Sequence, residues 1–586
     1  MHPTRWSRCF FAIVVLAVAL GMAAAPLSAQ AVSPAAADMA TTLRVDAGVY
    51  PDTLDPQRAS YTNEVGALKL IYEGLTRLDS NLNTVPGAAE SWQYNAEATQ
   101  IEFLLRPGLQ YSDGTLLNAK RFEFSILRAL DPYIAGDYAG LLDDISGAYE
   151  YRTADIATIT PEELQALRDA VQVRAYDLLG NPCTDYSQAA CRVLRIGLTQ
   201  SALYFPSIMS LSMTYPAKEE LIQAGGDNWW TSGLYQVGNG PFKMVTLDHS
   251  RSFYTPNLHY WRGQPGYNVE YQYFYNAQLA LQAYQANQLD IMPVDASIAG
   301  TISGDPVLQA QLQRYAGSCT YMVAFHNQKP PFNDHYVREA FAYAIDREAW
   351  VNEIHLGAGF TTLTWIPRGF PGYDADETRW GYNPTAAVQA LASGGYTVVD
   401  GDLIGPDEQP IAIIDSFIDT PINRLRHQWL IDQWYAVLGI EVVFNPVDAA
   451  TYYELRDGDL ANKPPLYYSG WCADYPDPQN WLSVYWKSTS LFAQRYGYNN
   501  PALDALLDEA DGTIDPALRL QRYMTAQETL VADAPAIFLN NNQWIYLVKP
   551  RVIGEIGTPM DAVWMGEMDP LTIQVGYPLF LPAVAK

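Results

Sequence analysis

Leu466-Tyr-Tyr-Ser-Gly-Trp-Cys-Ala-Asp-Tyr-Pro-Asp-Pro-Gln-Asn480 is the stretch on which the reading of this chain turns. It opens as a short apolar and aromatic run, the pattern of a buried strand. Gly470 allows close approach of another group, and Pro476 and Pro478 are expected to keep a helix from following. At the strand's end one carboxylate, Asp474, stands among Tyr468, Trp471, Tyr475 and Trp481 with no cation beside it in sequence. Such an acid suits a cation that arrives from outside, with aromatic faces adding attraction. The plain structural alternative is an aspartate that caps the turn before proline.

Around this stretch lie 586 residues, too many for a single core. With 49% hydrophobic and 17% charged residues, the composition is that of an ordinary globular protein. The 40 Tyr and 15 Trp are abundant enough to furnish ligand surfaces as well as core. Lys and Arg number 36 against 64 Asp and Glu, a net charge of −28, which argues against nucleic acid and anionic membranes as partners. Arg5 and Arg8 precede an apolar run from Phe10 to Leu20, and the small residues of Ala29-Gln-Ala31 follow, so residues 1–31 are expected to be a cleaved export signal. Cys9 precedes the apolar run and is not placed as a lipoprotein cysteine. Four other cysteines remain, Cys183, Cys191, Cys319 and Cys472. An even count in an exported chain points to disulfides, with three possible pairings.

Elements alternate along the chain. A strand is expected at Leu43–Val45 and a helix over Glu64–Tyr72. Ile101–Leu105 alternates as a strand. A helix with Asn118 as its cap then runs to Leu130, where Asp131-Pro132 stops it. Val337, Phe341, Ala344 and Ile345 share one helical face. Ile422–Leu438 is a helix with apolar residues at 422, 425, 429, 430, 434 and 437, ended by Gly439 and followed by the strand Ile440–Val443. Two strands, Ile537–Leu539 and Trp544–Val548, come last. This alternation is that of an α/β protein.

Several of these segments carry residue types at fixed spacing. Trp92, Leu105-Arg106-Pro107-Gly108, Ser112-Asp113-Gly114 and the helix after Asn118 form one such series. Thr53-Leu-Asp-Pro56, Tyr72-Glu-Gly-Leu75, Gly238-Asn-Gly-Pro-Phe242 and Pro331-Phe-Asn-Asp334 with Val337-Arg338 are others. Together with Gly470-Trp-Cys-Ala-Asp-Tyr475 the series resembles the family-5 extracellular solute-binding proteins, and within them the oligopeptide-binding receptors of peptide ABC importers. The resemblance extends from Leu43 to about Pro550.

It implies a class II periplasmic-binding-protein fold, two lobes with a hinge plus an additional domain. The three domains would be 41–72 with 216–318 and 544–586, then 73–215, then 319–543. The implied function is capture of oligopeptides between the lobes and delivery to a membrane permease with its ATPase subunits. The receptor would be an exported monomer, in the periplasm or at the outer face of the cytoplasmic membrane, using no cofactor or metal. Asp474 would receive the peptide ammonium, Ser469, Gly470, Trp471 and Cys472 would pair with its backbone, and Tyr475 would border it. Ser60, Tyr61 and Thr62 would pair from the opposite lobe, and Phe124 would stand near the ligand. Some relatives carry an arginine where this chain has Tyr468, and Arg456 matches another family arginine suited to a ligand carboxylate. The resemblance also implies a Cys319–Cys472 disulfide tying the ligand loop to the strand that enters the C-terminal lobe; Cys183–Cys191 is expected to close a small polar loop.

Signatures of other chemistry are missing from the sequence: no Gly-x-Ser-x-Gly, no Gly-x-x-x-x-Gly-Lys and no His-Glu-x-x-His. His326, His335 and His355 are close in sequence without a metal-ligand spacing. The alternatives are the same fold binding an oligosaccharide or metal chelate, a secreted hydrolase, and a sensory or adhesive surface protein.

Overall fold

The computed structural model describes residues 42–560 and 569–576. The export signal expected over residues 1–31 lies outside the described residues. Among those described, no helix is long and apolar enough to cross a membrane.

The frame is a nine-stranded mixed sheet. Its order from one edge is Leu466–Cys472, Leu312–Phe325, Ala536–Val548, Ile291–Pro293, Thr42–Asp46, Asn268–Gln272, Arg251–Pro256 and Phe242–Leu247. The short strand Gly359–Thr361 joins Ala536–Val548 from the side. Thr42–Asp46 runs parallel to both neighbours, and the remaining pairs are antiparallel. The two long strands carry the sheet from one body to the next. Leu312–Ala316 pairs with Gln543–Leu547, the register breaks, and Thr320–Ala324 pairs with Ala536–Asn541.

One continuous strand over Ala536–Val548 replaces the two expected from sequence. The polar run Asn540-Asn-Asn-Gln543 stays in the ladder because its amides are paired, as buried polar groups must be. Trp350 Nε1 donates to Asn540 Oδ1 at 2.9 Å, Asn541 Nδ2 to Thr320 Oγ1 at 2.8 Å, and the Cys319 amide to Asn542 Oδ1 at 2.8 Å.

A separate antiparallel sheet orders Ala89–Tyr94, Gln100–Leu105, Cys191–Gly197 and Val173–Asp177, with the helix Ala119–Ala129 packed on it. The helix starts where expected, but Asn118 does not cap it. Its Nδ2 instead donates to the carbonyls of Asp185 and Gln188, at 3.3 and 3.2 Å. That ties the helix to the loop closed by the Cys183–Cys191 disulfide.

In the C-terminal body the strand Leu466–Cys472 has apolar material on both faces. Leu466 and Tyr468 pack with Phe341, Trp350 and Trp434. Tyr467 and Trp471 pack with Trp365, Trp481 and Trp486. Trp350, Trp365, Trp434, Trp481 and Trp486 are fully buried, which holds the edge strand rigidly in place. The helix Pro421–Leu438 ends at Gly439, whose φ of +73° suits glycine. Its buried stripe is His427, Leu430, Ile431, Trp434 and Leu438, whereas Ile422 and Leu425 are 43% and 51% exposed, contrary to the face expected from apolar spacing. The helix is turned this way because His427 is buried against Asp415, with Nδ1 2.7 Å from the carboxylate.

Candidate functional site

The strand Leu466–Cys472 is the last in its sheet. Residue by residue it pairs with Leu312–Phe325, Cys472 opposite Cys319 and Gly470 opposite Tyr321, and its other edge pairs with no strand among the described residues. Gly470 is required here, since a Cβ would lie 2.8 Å from the Tyr321 ring and 2.9 Å from the Thr320 carbonyl oxygen. Ser469 turns its hydroxyl inward to the hydroxyls of Tyr496 and Tyr485, at 3.0 and 3.4 Å. The Cys319–Cys472 disulfide then closes the end of the ladder, with the two Cα atoms 4.0 Å apart.

Beyond it the chain leaves the sheet and carries Asp474, which is half-buried. Asn480, fully buried, organises this loop. Its Oδ1 accepts from the Asp474 amide and from Trp471 Nε1, each at 3.1 Å, and its Nδ2 donates to the Asp474 carboxylate at 2.9 Å. Among the described residues no Lys, Arg or His pairs with that carboxylate. Burial pushes its pKa above the ordinary carboxylate value, and the Asn480 bond offsets this only in part. Asp477 takes the cap role that sequence left open for Asp474. It accepts from the Gln479 amide at 2.9 Å, and it pairs with Arg519 through two contacts of 2.8 Å. Pro478 opens a short helix, Pro478–Trp481, where the prolines were expected to prevent one; proline is tolerated at the first helical position because its missing N–H has no partner to lose.

Two groups from the preceding body face the loop. Tyr475 is buried with that body's core and stacks on Tyr204, ring centroids 5.7 Å apart. Tyr138 has its pKa raised by burial and by the charge of Asp474. Two residues before Tyr138, Gly136 lies so close to Gln57 that a Cβ would fall 2.1 Å from the Gln57 carbonyl oxygen, which brings the Ser60 segment to the same side.

The other expected site residues are arranged differently. The amides of Ser60 and Tyr61 donate to Glu64 Oε2, at 2.9 and 3.1 Å, and Thr62 begins the helix Thr62–Ile71. The buried Glu64 thus gathers both amides at the entry to this helix. Tyr61 is 62% exposed. Phe124 lines a groove on the antiparallel-sheet body with Leu127, Arg168, Tyr186 and Glu219, and none of the Asp474 loop borders that groove. Arg456 pairs with the adjacent Asp457 at 2.6 Å and lies over Tyr453, so its charge is already countered on its own helix.

Two groups that sequence reasoning did not select adjoin the strand. The Arg426 guanidinium lies over the Tyr468 ring, 5.0 Å from its centroid. His355 stacks on Tyr321 at 6.3 Å. A cation thus returns, from the helix Pro421–Leu438, to the strand position where Tyr468 stands in place of arginine. No sequence signal marked it, because Arg426 lies 42 residues before Tyr468 and meets it only in the fold. Other hollows lie away from this strand. One of about 470 Å³ is lined by Tyr72, Glu73, Arg77 and Arg262; there Arg262 pairs with Asp569, and Glu73 accepts a hydrogen bond from the Tyr260 hydroxyl.

The sequence model of the bacterial extracellular solute-binding proteins, family 5, middle region, matches residues 83–492. The periplasmic oligopeptide-binding protein OppA of Escherichia coli K12 is 25% identical over 551 residues, covering 90% of this chain and 92% of that one. The probable deoxycholate-binding periplasmic protein YgiS of the same organism is 26% identical over 533 residues, covering 88% and 91%. Among solved structures, the unliganded open form of the periplasmic murein tripeptide binding protein MppA aligns with a TM-score of 0.77 at 21% identity, over 91% of this chain and 97% of that one. The expected class II periplasmic-binding-protein fold is therefore the fold of this chain, and the matched relatives are binding proteins, as this chain is, and not enzymes. By the extent of the family match, the chain belongs to the family-5 bacterial extracellular solute-binding proteins.

Proposed function

We propose that this chain is the peptide-capturing component of an ABC importer, holding a peptide in extended form along Ser469–Cys472 with its ammonium group at Asp474. The observation that carries this is a partly buried carboxylate without a cationic partner at the end of an unpaired sheet edge. A receptor for many sequences gains affinity from backbone bonds, which an added strand supplies, and leaves side chains to pockets in which water adapts. The ammonium bond in a closed cleft is charge-assisted and strengthened by low dielectric. Likeness to an oligopeptide-binding protein supports the same reading. Likeness to a probable deoxycholate-binding protein does not displace it, because a buried acid repels an anionic ligand.

The division into domains 41–72 with 216–318 and 544–586, 73–215, and 319–543 belongs to this proposal. Separate groupings of apolar residues support it, and the two long strands would serve as the hinge. Closure about that hinge would bury the ligand and present a shape for a permease with its ATPase subunits to recognise. The protein would act as an exported monomer outside the cytoplasmic membrane.

Mass spectrometry of the natively purified protein should reveal co-purified peptides. Titration calorimetry should show tetraalanine bound and its N-acetylated form bound far more weakly. Equal affinity for the two would refute the role of Asp474, and a bound solute without an amino group would refute the peptide reading.

A further inference from the structure

The antiparallel-sheet body and the C-terminal body meet beside the Asp474 loop, and there Tyr204 of the first is held between two groups of the second. Tyr475 stacks on its ring with centroids 5.7 Å apart, and the Arg519 guanidinium stands 5.9 Å from its centroid. All three residues are buried. A half-buried carboxylate lies on each side of this contact. Asp144, from the antiparallel-sheet body, accepts from the Tyr204 hydroxyl at 2.8 Å. Asp511, from the C-terminal body, accepts from Ser483 Oγ at 2.8 Å and from the Tyr523 hydroxyl. Both carboxylates act on Tyr204, and they repel each other across the contact.

The contact holds too few cations for its acids. Both terminal nitrogens of Arg519 go to Asp477, at 2.8 Å each. Lys487, the other cation facing Asp511, pairs with Asp508, and Asp143, beside Asp144, has Arg152 to itself. Neither Asp144 nor Asp511 forms an ion pair among the described residues. The remaining titratable groups that face them are phenols, Tyr94 and Tyr475 toward Asp144 and Tyr523 toward Asp511, and burial keeps these neutral.

A carboxylate taken out of water without a counter-ion favours its neutral form, and a like charge nearby adds to this. Burial accordingly raises the pKa of both, and the hydroxyl bonds offset the rise only in part. Where the bodies part, water returns to both groups and the ordinary value of 3.8 is restored. The joined form therefore binds more protons than the parted form between 3.8 and the raised values, so the contact strengthens as pH falls through that window.

We propose that this contact is an acid-sensitive latch, in which Asp144 and Asp511 take up protons where the two bodies touch, holding the bodies together in an acidic medium and letting them part toward neutrality. Because Tyr475 adjoins Asp474, the latch governs how freely the ligand loop moves against the antiparallel-sheet body. The inference does not depend on which solute is bound.

Hydrogen exchange of the full chain tests the latch, followed by mass spectrometry over residues 201–210 and 473–480 from pH 5 to 8 and corrected for the intrinsic rate. In the parent, protection of both segments should rise as pH falls, by up to about 10-fold per pH unit for each proton taken up. A variant carrying Asp144→Asn and Asp511→Asn together, checked for folding by circular dichroism, should be protected at pH 8 as the parent is at pH 5 and should hardly respond to pH. Tyr204→Phe keeps the ring against Tyr475 but removes the hydroxyl that steadies the charged form of Asp144, so its response should move to higher pH. Asp474→Asn should keep the parent's response. A parent whose protection does not change with pH, a double variant that keeps the parent's response, or a Tyr204→Phe response at unchanged or lower pH would overturn the latch. Loss of the response in Asp474→Asn would place the proton on the ligand loop and overturn it as well.

Discussion

Replacing Asp474 by Asn should move ligand affinity and the stability of the empty protein in opposite directions. Asn has the same shape and keeps an oxygen for the Asn480 Nδ2 donor, which bonds Asp474 at 2.9 Å. What it removes is a largely buried charge with no cationic partner. In the empty protein that charge is a cost, so the melting temperature of Asp474→Asn at pH 7 should equal or exceed the parent's. In the complex, loss of the charge-assisted bond costs about 1.5–3 kcal/mol, and leaving the ammonium unpaired adds to it. A total of about 2–4 kcal/mol corresponds to roughly 30- to 1000-fold weaker peptide binding. The pH dependence has a defined sign. Because the folded pKa is raised above the ordinary 3.8, the folded chain keeps a proton that the unfolded chain has lost between those two values. Asp474 therefore destabilises the empty protein above that window, and the cost fades as pH falls through the folded pKa. Peptide affinity runs the other way and should begin to fall at a pH above the usual carboxylate range. Calorimetry and thermal melts across pH 4–8 check both. An Asp474→Asn protein that keeps its peptide affinity, or that melts well below the parent, would refute the reasoning.

Asn480→Ala should lower stability by about 2–4 kcal/mol, because it removes three hydrogen bonds and strands the half-buried Trp471 Nε1 and Asp474 amide. Urea unfolding measures this, and peptide affinity should fall as well, since Asp474 loses its tether. Converting both Cys319 and Cys472 to serine opens a link across 153 residues. The chain-entropy estimate is a loss of about 5 kcal/mol, and a shift in unfolding free energy below about 1 kcal/mol would show that strand pairing alone constrains the loop.

Much of this protein was legible from local pattern. The alternation at Ile101–Leu105, the 18-residue helix ending at Gly439 and the strand at Leu466 each stand where spacing placed them, because periodicity and left-handed glycine caps act within one turn or strand. Three of the errors share one cause. Asn540–Gln543 looked like a break, Asn118 like a cap and Ile422 and Leu425 like a buried face. In each case a partner distant in sequence overrode the local preference. Asn540 is held by Trp350, Asn118 by the cysteine loop, and the helix is turned by the His427–Asp415 contact.

The sequence by itself determined the fold class and the chemistry available at the edge strand: an isolated aspartate, a glycine and rings in order. Tertiary structure alone decided which charges are free. Arg456 is quenched by its neighbour Asp457, the Ser60 and Tyr61 amides are taken by Glu64, and Arg426 arrives unpaired beside Tyr468. The reason is physical. Backbone preference is set within a few residues, whereas whether a charge is countered depends on every group within a few ångströms, wherever it falls in the chain.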